Sequence, residues 1–385
     1  MQGVSAQVAV IGAGPSGAMA ALHLARSGVD VRLIDRYRFP REKVCGDGLI
    51  SDAQNALDRV GLLDQVIAEG YCVEKSTVFS PGRIEADFRG RFVTLPRRRL
   101  DQLLVRAACE RGARLVHDRV TGLALGRGGV RLSLAGSDDL LARYAIVATG
   151  THVGLLEQIG ALEDVSPSAF AFRRYFSSER NLDRLVVSYD RSIMPGYAWA
   201  FPVGDKRLNV GLGVTRGQAI KPRRTLDRFV REFPLLRDEL GELTPLTPLR
   251  GSSLRWGLTG ARPVTGGRVL AAGDAVGATF PFTGEGIGKA METGEIAAEV
   301  LRSVIADGDT SRVEDYGARI DELRSKYVGY EIANRWLSRA WLADLVLSRI
   351  KRSPVLTQHV EDLLHERVDP REIFSVAGLV RSLVH

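Results

Sequence analysis

The sequence predicts an α/β protein in three parts: a parallel doubly wound unit, an antiparallel sheet inserted between its pieces, and a helical C-terminal region. Three observations predict it. An apolar run from Gln7 to Ile11 ends in Gly12-Ala-Gly14-Pro-Ser-Gly17, and an alanine-rich stretch and a second apolar run follow. From Val153 to about Pro263, short β-type runs alternate with proline and glycine turns. Beyond Thr310 the pattern becomes helical.

A chain of 385 residues suits two or three domains, or one large domain with insertions. Hydrophobic residues make up 45% and charged residues 26%, as in an ordinary globular protein. The formal charge of +7 favours an anionic ligand or membrane surface, and it also serves solubility alone. The basic residues are dispersed and no nucleic-acid-binding signature occurs, so nucleic acid is not an expected partner. Cys45, Cys72 and Cys109 make no disulfide framework, which points to a reducing cytoplasm. No uncharged apolar stretch reaches the roughly 18 residues of a membrane span. The apolar N-terminus lacks a basic leader and reads as a buried strand rather than a signal peptide. The histidines are scattered without metal-ligand spacing, so no metal site is expected.

The first element is a strand from Gln7 to Ile11. Its glycine turn leads into a helix from Ala18 to Ser27, then the strand Val31-Arg-Leu-Ile34 and Asp35. This is the order of a Rossmann-like unit. Gly12 permits the tight turn, Gly14 lets backbone approach a pyrophosphate at the helix N-terminus, and Gly17 lets the helix pack closely on the strand. Asp35 is placed to accept from ribose hydroxyls. Tyr144 to Thr149-Gly150 reads as the strand that closes the unit, and Arg268 to Ala272 as a further buried strand ending in Gly273-Asp274. A helix from Gly288 to about Ile305 follows Pro281-Phe-Thr283-Gly284-Glu285-Gly286-Ile287.

In the middle region the best strands are Val186 to Tyr189, Tyr197 to Phe201 and Arg207 to Val214. Tyr197, Trp199 and Phe201 alternate, so their rings share one strand face and form an apolar wall. Such a wall suits a long uncharged chain, and it also suits ordinary core packing. The basic pairs Lys206-Arg207 and Arg223-Arg224 either hold a diphosphate or phospholipid head or are simply solvated. From Tyr316 to Arg352, Trp336, Leu337, Trp341, Leu345, Leu347 and Ile350 stand among arginines. That surface docks on membrane, closes a substrate tunnel, or packs as plain helices. Arg367-Val-Asp-Pro370 breaks the last helices before a short apolar tail.

The Gly273-Asp274 segment resembles the second FAD fingerprint of glutathione-reductase-like and hydroxylase-like flavoproteins. Lys43-Val-Cys45-Gly46-Asp47-Gly48, the Tyr-x-Trp-x-Phe-Pro segment with its trailing Gly211-Leu-Gly213, and Pro281 to Ile287 then resemble the geranylgeranyl reductase family of FAD-dependent oxidoreductases. The resemblance runs from Val8 to about Leu301. It implies an FAD-binding domain of residues 1–70, 96–152 and 264–310, a substrate domain of residues 71–95 and 153–263, and a helical region of residues 311–385. It also implies an enzyme that saturates isolated C=C bonds of a prenyl chain by hydride transfer from reduced flavin plus protonation.

The cofactor residues so implied are Gly12, Gly14, Ser16, Gly17, Asp35, Arg36, Cys45, Gly46, Arg97, Asp274, Thr283, Gly284, Gly286 and Ile287. Tyr197, Trp199, Phe201 and Cys45 are the catalytic-site residues. For Cys45 two readings stand: a redox or proton-relay thiol, or a small residue fitted against the flavin ring. Arg98 and Arg99 are expected in solvent.

Many relatives carry Ala-Asp-Gly where this chain has Ala148-Thr149-Gly150-Thr151-His152, so the electron donor is NADPH or a ferredoxin-type carrier. The partners expected are an isoprenoid substrate, an electron-transfer protein and a peripheral membrane surface. Competing functions are a flavin monooxygenase, a halogenase with Lys75 as its lysine, and a non-catalytic flavin or prenyl-lipid binder. Gly277 where hydroxylases carry His, and Phe280 before Pro281, depart from the first two patterns.

Overall fold

A computed structural model describes residues 5–162 and 164–374. Its first sheet has the parallel order Val269–Ala271, Leu140–Val147, Ala6–Ile11, Val31–Asp35, Arg114–His117. Val8 pairs with Val31 on one side and Tyr144 on the other. The central strand is apolar because both faces are covered; Val8, Ala9 and Val10 have no exposed surface. The hairpin Val120–Gly126 and Gly129–Leu134 adds antiparallel to the start of Leu140–Val147.

Helix Pro15–Arg26 lies between helices Arg97–Glu110 and Ile287–Asp307. Its alanines reflect that crowding. A Cβ on Gly294 of the last helix would come within 2.2 Å of the Ser16 carbonyl oxygen, so only glycine allows the approach. Met19, Leu22 and Leu24 are fully buried there, each contributing about 1.5–3 kcal/mol.

The second sheet runs Ala169–Ser177, Arg207–Thr215, Tyr197–Pro202, Leu185–Ser188, Tyr71–Phe79, Glu85–Thr94, with Arg250–Leu254 also on the first of these. Trp199 lies opposite Gly211, and Gly211 opposite Arg173. The sequence predicts an antiparallel sheet, and one pair corrects it: Leu185–Ser188 runs parallel to Tyr71–Phe79. Parallel neighbours need a long crossover, and here the chain completes much of the first sheet between them.

At the C-terminal end, helices Asp315–Leu337, Ala340–Arg352, Pro354–Leu364 and Pro370–Phe374 follow one another. The expected run from Tyr316 to Arg352 is therefore two helices. Arg339 is extended (φ −90°, ψ 115°) and starts the second. The expected apolar tail lies in 375–385, outside the described residues. Among the described residues no helix is long and apolar enough to cross a membrane.

Candidate active site

The site opens where strand Ala6–Ile11 meets its helix. Gly12 has φ +97°, and a Cβ there would come within 2.4 Å of the Ala148 carbonyl oxygen. A Cβ on Gly17 would lie 1.8 Å from the Gly12 carbonyl oxygen. The turn is thus closed to side chains on its inner side, whereas Gly14 faces open space bordered by two guanidinium groups. Its Cβ position is 3.6 Å from Arg41 Nη2 and 4.0 Å from Arg97 Nη2.

Both arginines are tethered by the fully buried Asp101. Arg97 donates to it through Nε (2.7 Å) and Nη2 (2.9 Å), and Arg41 Nη1 lies 2.9 Å away. Ser16 is 4% exposed and its Oγ has no hydrogen-bond partner. Two cations, free helix N–H groups and an orphaned hydroxyl around one glycine suit a pyrophosphate. Asp35 accepts from the Ala13 N–H (2.8 Å) and the Tyr37 N–H (2.8 Å), leaving lone pairs for a ribose. Arg36 lies 2.8 Å from His152 Nε2 and over the Tyr37 ring. Burial first, then Arg36, lowers the His152 pKa.

The second wall comes from Gly273-Asp274 and the loop before helix Ile287–Asp307. Gly273 has φ +66°, and its N–H donates to Thr293 Oγ1 (2.9 Å). Asp274 accepts from Thr279 Oγ1 (2.8 Å). Burial raises its pKa, opposed by Lys43. Tyr197 Oη donates to the Thr283 carbonyl (2.6 Å), and a Cβ on Gly284 would come within 2.4 Å of that hydroxyl. Gly286 caps the helix N-terminus and Ile287 begins it. These residues fit an FAD: a phosphate cradle at one end, and at the other a helix N-terminus that favours the anionic reduced ring.

Tyr197, Trp199 and Phe201 all face one cavity of about 1220 Å³, which also touches Gly14, Asp274 and Gly286. Their ring centroids are 6.1 and 6.4 Å apart in sequence order. Trp199 donates from Nε1 to Asn209 Oδ1 (3.1 Å). The Asn209 amide donates to the Cys45 carbonyl (2.8 Å) and to Asp47 Oδ2 (2.7 Å). Asp47 also accepts from Tyr175 Oη and from the Arg97 N–H.

The Cys-Gly-Asp-Gly loop is therefore strapped to the aromatic strand. Asp47 fixes it through one backbone bond and two side chains. Burial pushes the Cys45 thiol up, against the pull of the Arg97 charge, and Gly46 lies against Phe201 and Trp199.

The cavity continues past Ile50 and Ala53 to Leu347, Leu356, Val360 and Leu363 of the C-terminal helices. Lys75 is not among its lining residues; it faces Asp87 at 3.6 Å. Lys206 and Arg207 are exposed, away from that lining. Arg99 pairs with Glu69 at the surface.

Arg41 has no place among the sequence-based site residues, because no spacing ties it to the glycine turn. Its one signal is its position four residues before Cys45. Asp52 and Glu285 also line the cavity. Glu285 is inside a recognised motif but carries no role there, and Asp52 has no motif at all.

Comparison with known proteins agrees with this geometry. The model of the FAD binding domain family matches residues 5–328. A menaquinone reductase of Mycobacterium tuberculosis is 33% identical over 330 residues, 78% of this chain and 77% of that protein. A digeranylgeranylglycerophospholipid reductase of Methanoculleus marisnigri is 28% identical, covering 92% of this chain and 97% of the relative.

Among solved structures, a geranylgeranyl bacteriochlorophyll reductase-like protein of Thermoplasma acidophilum superposes with a TM-score of 0.78 at 22% identity, covering 99% and 96% of the two chains. A flavin-dependent brominase superposes with 0.77 at 18% identity, covering 98% of each. At these identities the structural likeness shows the fold.

Proposed function

This chain belongs to the FAD-binding-domain flavoproteins of geranylgeranyl reductase type, and on that premise we propose that it saturates isolated C=C bonds in a polyprenyl chain. The observation that carries the reading is the single cavity that joins the flavin loop, the aromatic wall and the C-terminal helices. A polyprenyl chain is long, apolar and without charge along its length. A site for it needs a continuous apolar channel and few polar anchors. The two curated relatives are named for a menaquinone and a geranylgeranylated phospholipid, molecules that share such a chain and differ in head group. That difference supports a chain-reading site, with the head group near the mouth.

An isolated alkene lacks an electron-withdrawing group, so its reduction develops positive charge on carbon. Bound flavin supplies the hydride equivalent. The faces of Tyr197, Trp199 and Phe201 stabilise that charge, and their apolar surface keeps water from trapping it. Tyr197 stays a neutral phenol: burial and the nearby Glu285 hold its pKa well above the usual value. Its proton is committed to the Thr283 carbonyl, so its task is to hold the flavin-facing loop. Arg41 and Arg97 bind the pyrophosphate, and Cys45 packs against the ring as a half-buried, neutral thiol.

Ala148 to His152 borders the nucleotide end of the cavity, and its departure from Ala-Asp-Gly favours a protein electron carrier over NADPH. Exposed Trp336 and Trp341, with Arg349, Lys351 and Arg352 in the last turn of the helix that Trp341 begins, support docking on an anionic membrane.

The deciding experiment is anaerobic. The protein is reduced with dithionite and mixed with menaquinone, geranylgeranyl diphosphate or a geranylgeranylated phospholipid. Flavin reoxidation together with a product two hydrogens heavier per event, the added hydrogens lying on the prenyl chain and not on a quinone ring, supports the reading. Reoxidation only on admission of oxygen, with an oxygen atom in the product, replaces it with a monooxygenase.

A further inference from the structure

Between the aromatic wall and the C-terminal helices lies a group of charges, built around the buried Asp52 and Lys289, that the chemistry above does not use. Asp52, on helix Ser51–Asp58, has a side chain 4% exposed and lines the cavity. Its Oδ1 accepts from the Ala53 N–H (2.5 Å), while Oδ2 accepts no hydrogen bond. That free oxygen lies against the first turn of helix Ile287–Asp307, where a Cβ on Gly288 would come within 2.0 Å of it. Glu285, just before this helix, lines the same cavity and acts on Tyr189 and Tyr197 of the aromatic side.

Behind the pair stands Lys289, only 3% exposed. Its Nζ is 3.9 Å from Asp52 Oδ2, 2.9 Å from Glu292 and 2.5 Å from Glu366. The last two acids reach solvent, at 27% and 30% exposure. The order from water inwards is thus outer acids, lysine, inner acids, cavity.

Fastening the C-terminal segment to the helix needs only Lys289 and its outer acids. Two inner carboxyl groups facing an apolar cavity cost desolvation without adding to that clamp. Resting on the reductase reading, we propose that Asp52 and Glu285 hold one proton between them and deliver it to the substrate double bond, with the Lys289 ammonium steadying the ionised pair until a proton returns from water.

The step balances. A carboxylic O–H bond breaks, and the alkene π pair forms the new C–H bond. The adjacent carbon takes a hydride from the reduced flavin, which is oxidised by two electrons. The ionised pair then regains its proton from water, beside the Lys289 ammonium, which keeps its own.

The electrostatics agree. Burial pushes Asp52 up to about 6 and Glu285 well above the carboxylate range; the Asp52 charge adds to the rise at Glu285, and Lys289 opposes both. Burial alone would lower Lys289, but Glu292, Asp52 and Glu366 outweigh it and keep the ammonium charged. A neutral acid therefore persists in the cavity at neutral pH.

The test begins on the oxidised FAD-loaded protein without substrate. Its infrared spectrum at neutral pH is expected to show a carboxylic-acid C=O band that shifts in D2O, is lost in Glu285→Gln and is displaced in Asp52→Asn. In single turnovers with pre-reduced flavin and geranylgeranyl diphosphate, Glu285→Gln should bind substrate but reoxidise about 10²-fold more slowly. Glu285→Asp, which keeps an acid, should restore the band and part of the rate.

No band in a wild type that reduces geranylgeranyl diphosphate overturns the proton store alone, as does a Glu285→Gln variant that reoxidises at the wild-type rate. A wild type that shows the band but reoxidises with no prenyl lipid overturns the reductase reading, and the delivery step with it.

Discussion

Asn209 is where single-residue chemistry decides the site. Indole can only donate, so Oδ1 must face Trp199, and the amide must then face the Cys45 carbonyl and Asp47, which both accept. Asn209→Asp would set a carboxylate against two acceptors, next to Asp47, which burial already raises. We expect a loss of about 2–3 kcal/mol in urea unfolding.

Trp199→Ala should keep the yellow flavin and lose about 10²-fold in turnover, because the substrate would no longer be held against its wall. Full turnover in this variant would remove Trp199 from the cavity reading. The wall was legible, since alternation on a strand puts three rings on one face. The strap was less so. Asn209 stands in register with the wall in the sequence, yet its partners come from a loop about 160 residues away, and no local pattern encodes that.

Between elements, a tight seam joins the aromatic strand to the flavin-facing loop. Gly284 has φ +70° and no room for a Cβ beside the Tyr197 hydroxyl. Gly284→Ala should be strongly destabilising, and Tyr197→Phe, which removes the clashing oxygen, should recover about 1 kcal/mol of that loss in a double-mutant cycle. Additive losses would mean that the backbone angle alone demands glycine.

Helix Ala340–Arg352 makes a different prediction. Trp341 is 66% exposed, and Trp341→Ser should weaken binding to phosphatidylglycerol vesicles about tenfold; unchanged binding would place the membrane contact elsewhere. The apolar period continues across Ser338-Arg339, where neither glycine nor proline marks the break, so the sequence does not show where one helix ends and the next begins.

Over the whole molecule, the buried charges tie stability to pH. A carboxyl group whose folded pKa is raised favours the neutral form, so its stabilising contribution is full below its ordinary pKa of 3.8 and is lost as pH rises through about 6. Lys289, Glu292 and Glu366 face Asp52 and remain in Asp52→Asn. The stability of the variant relative to wild type should therefore rise between pH 4 and 7 by about one to a few kcal/mol, read from parallel urea titrations; a constant difference would mean that Asp52 titrates normally. This cluster was not legible because Asp52 and Glu366 lie far along the chain from the Glu285-to-Lys289 segment they meet, with no spacing that ties the three stretches together. The Rossmann-like half was legible, because each of its roles falls within one strand–turn–helix unit.

The chain builds its two sheets in alternation: first sheet, second, first again, second again, and back to the first. Neither half is a contiguous cassette. A segment from Ala169 to Leu254 would exchange strands of the second sheet alone, yet no single segment carries either sheet whole, so neither half can be transplanted in one cut and each sheet is completed only by strands made on both sides of the other.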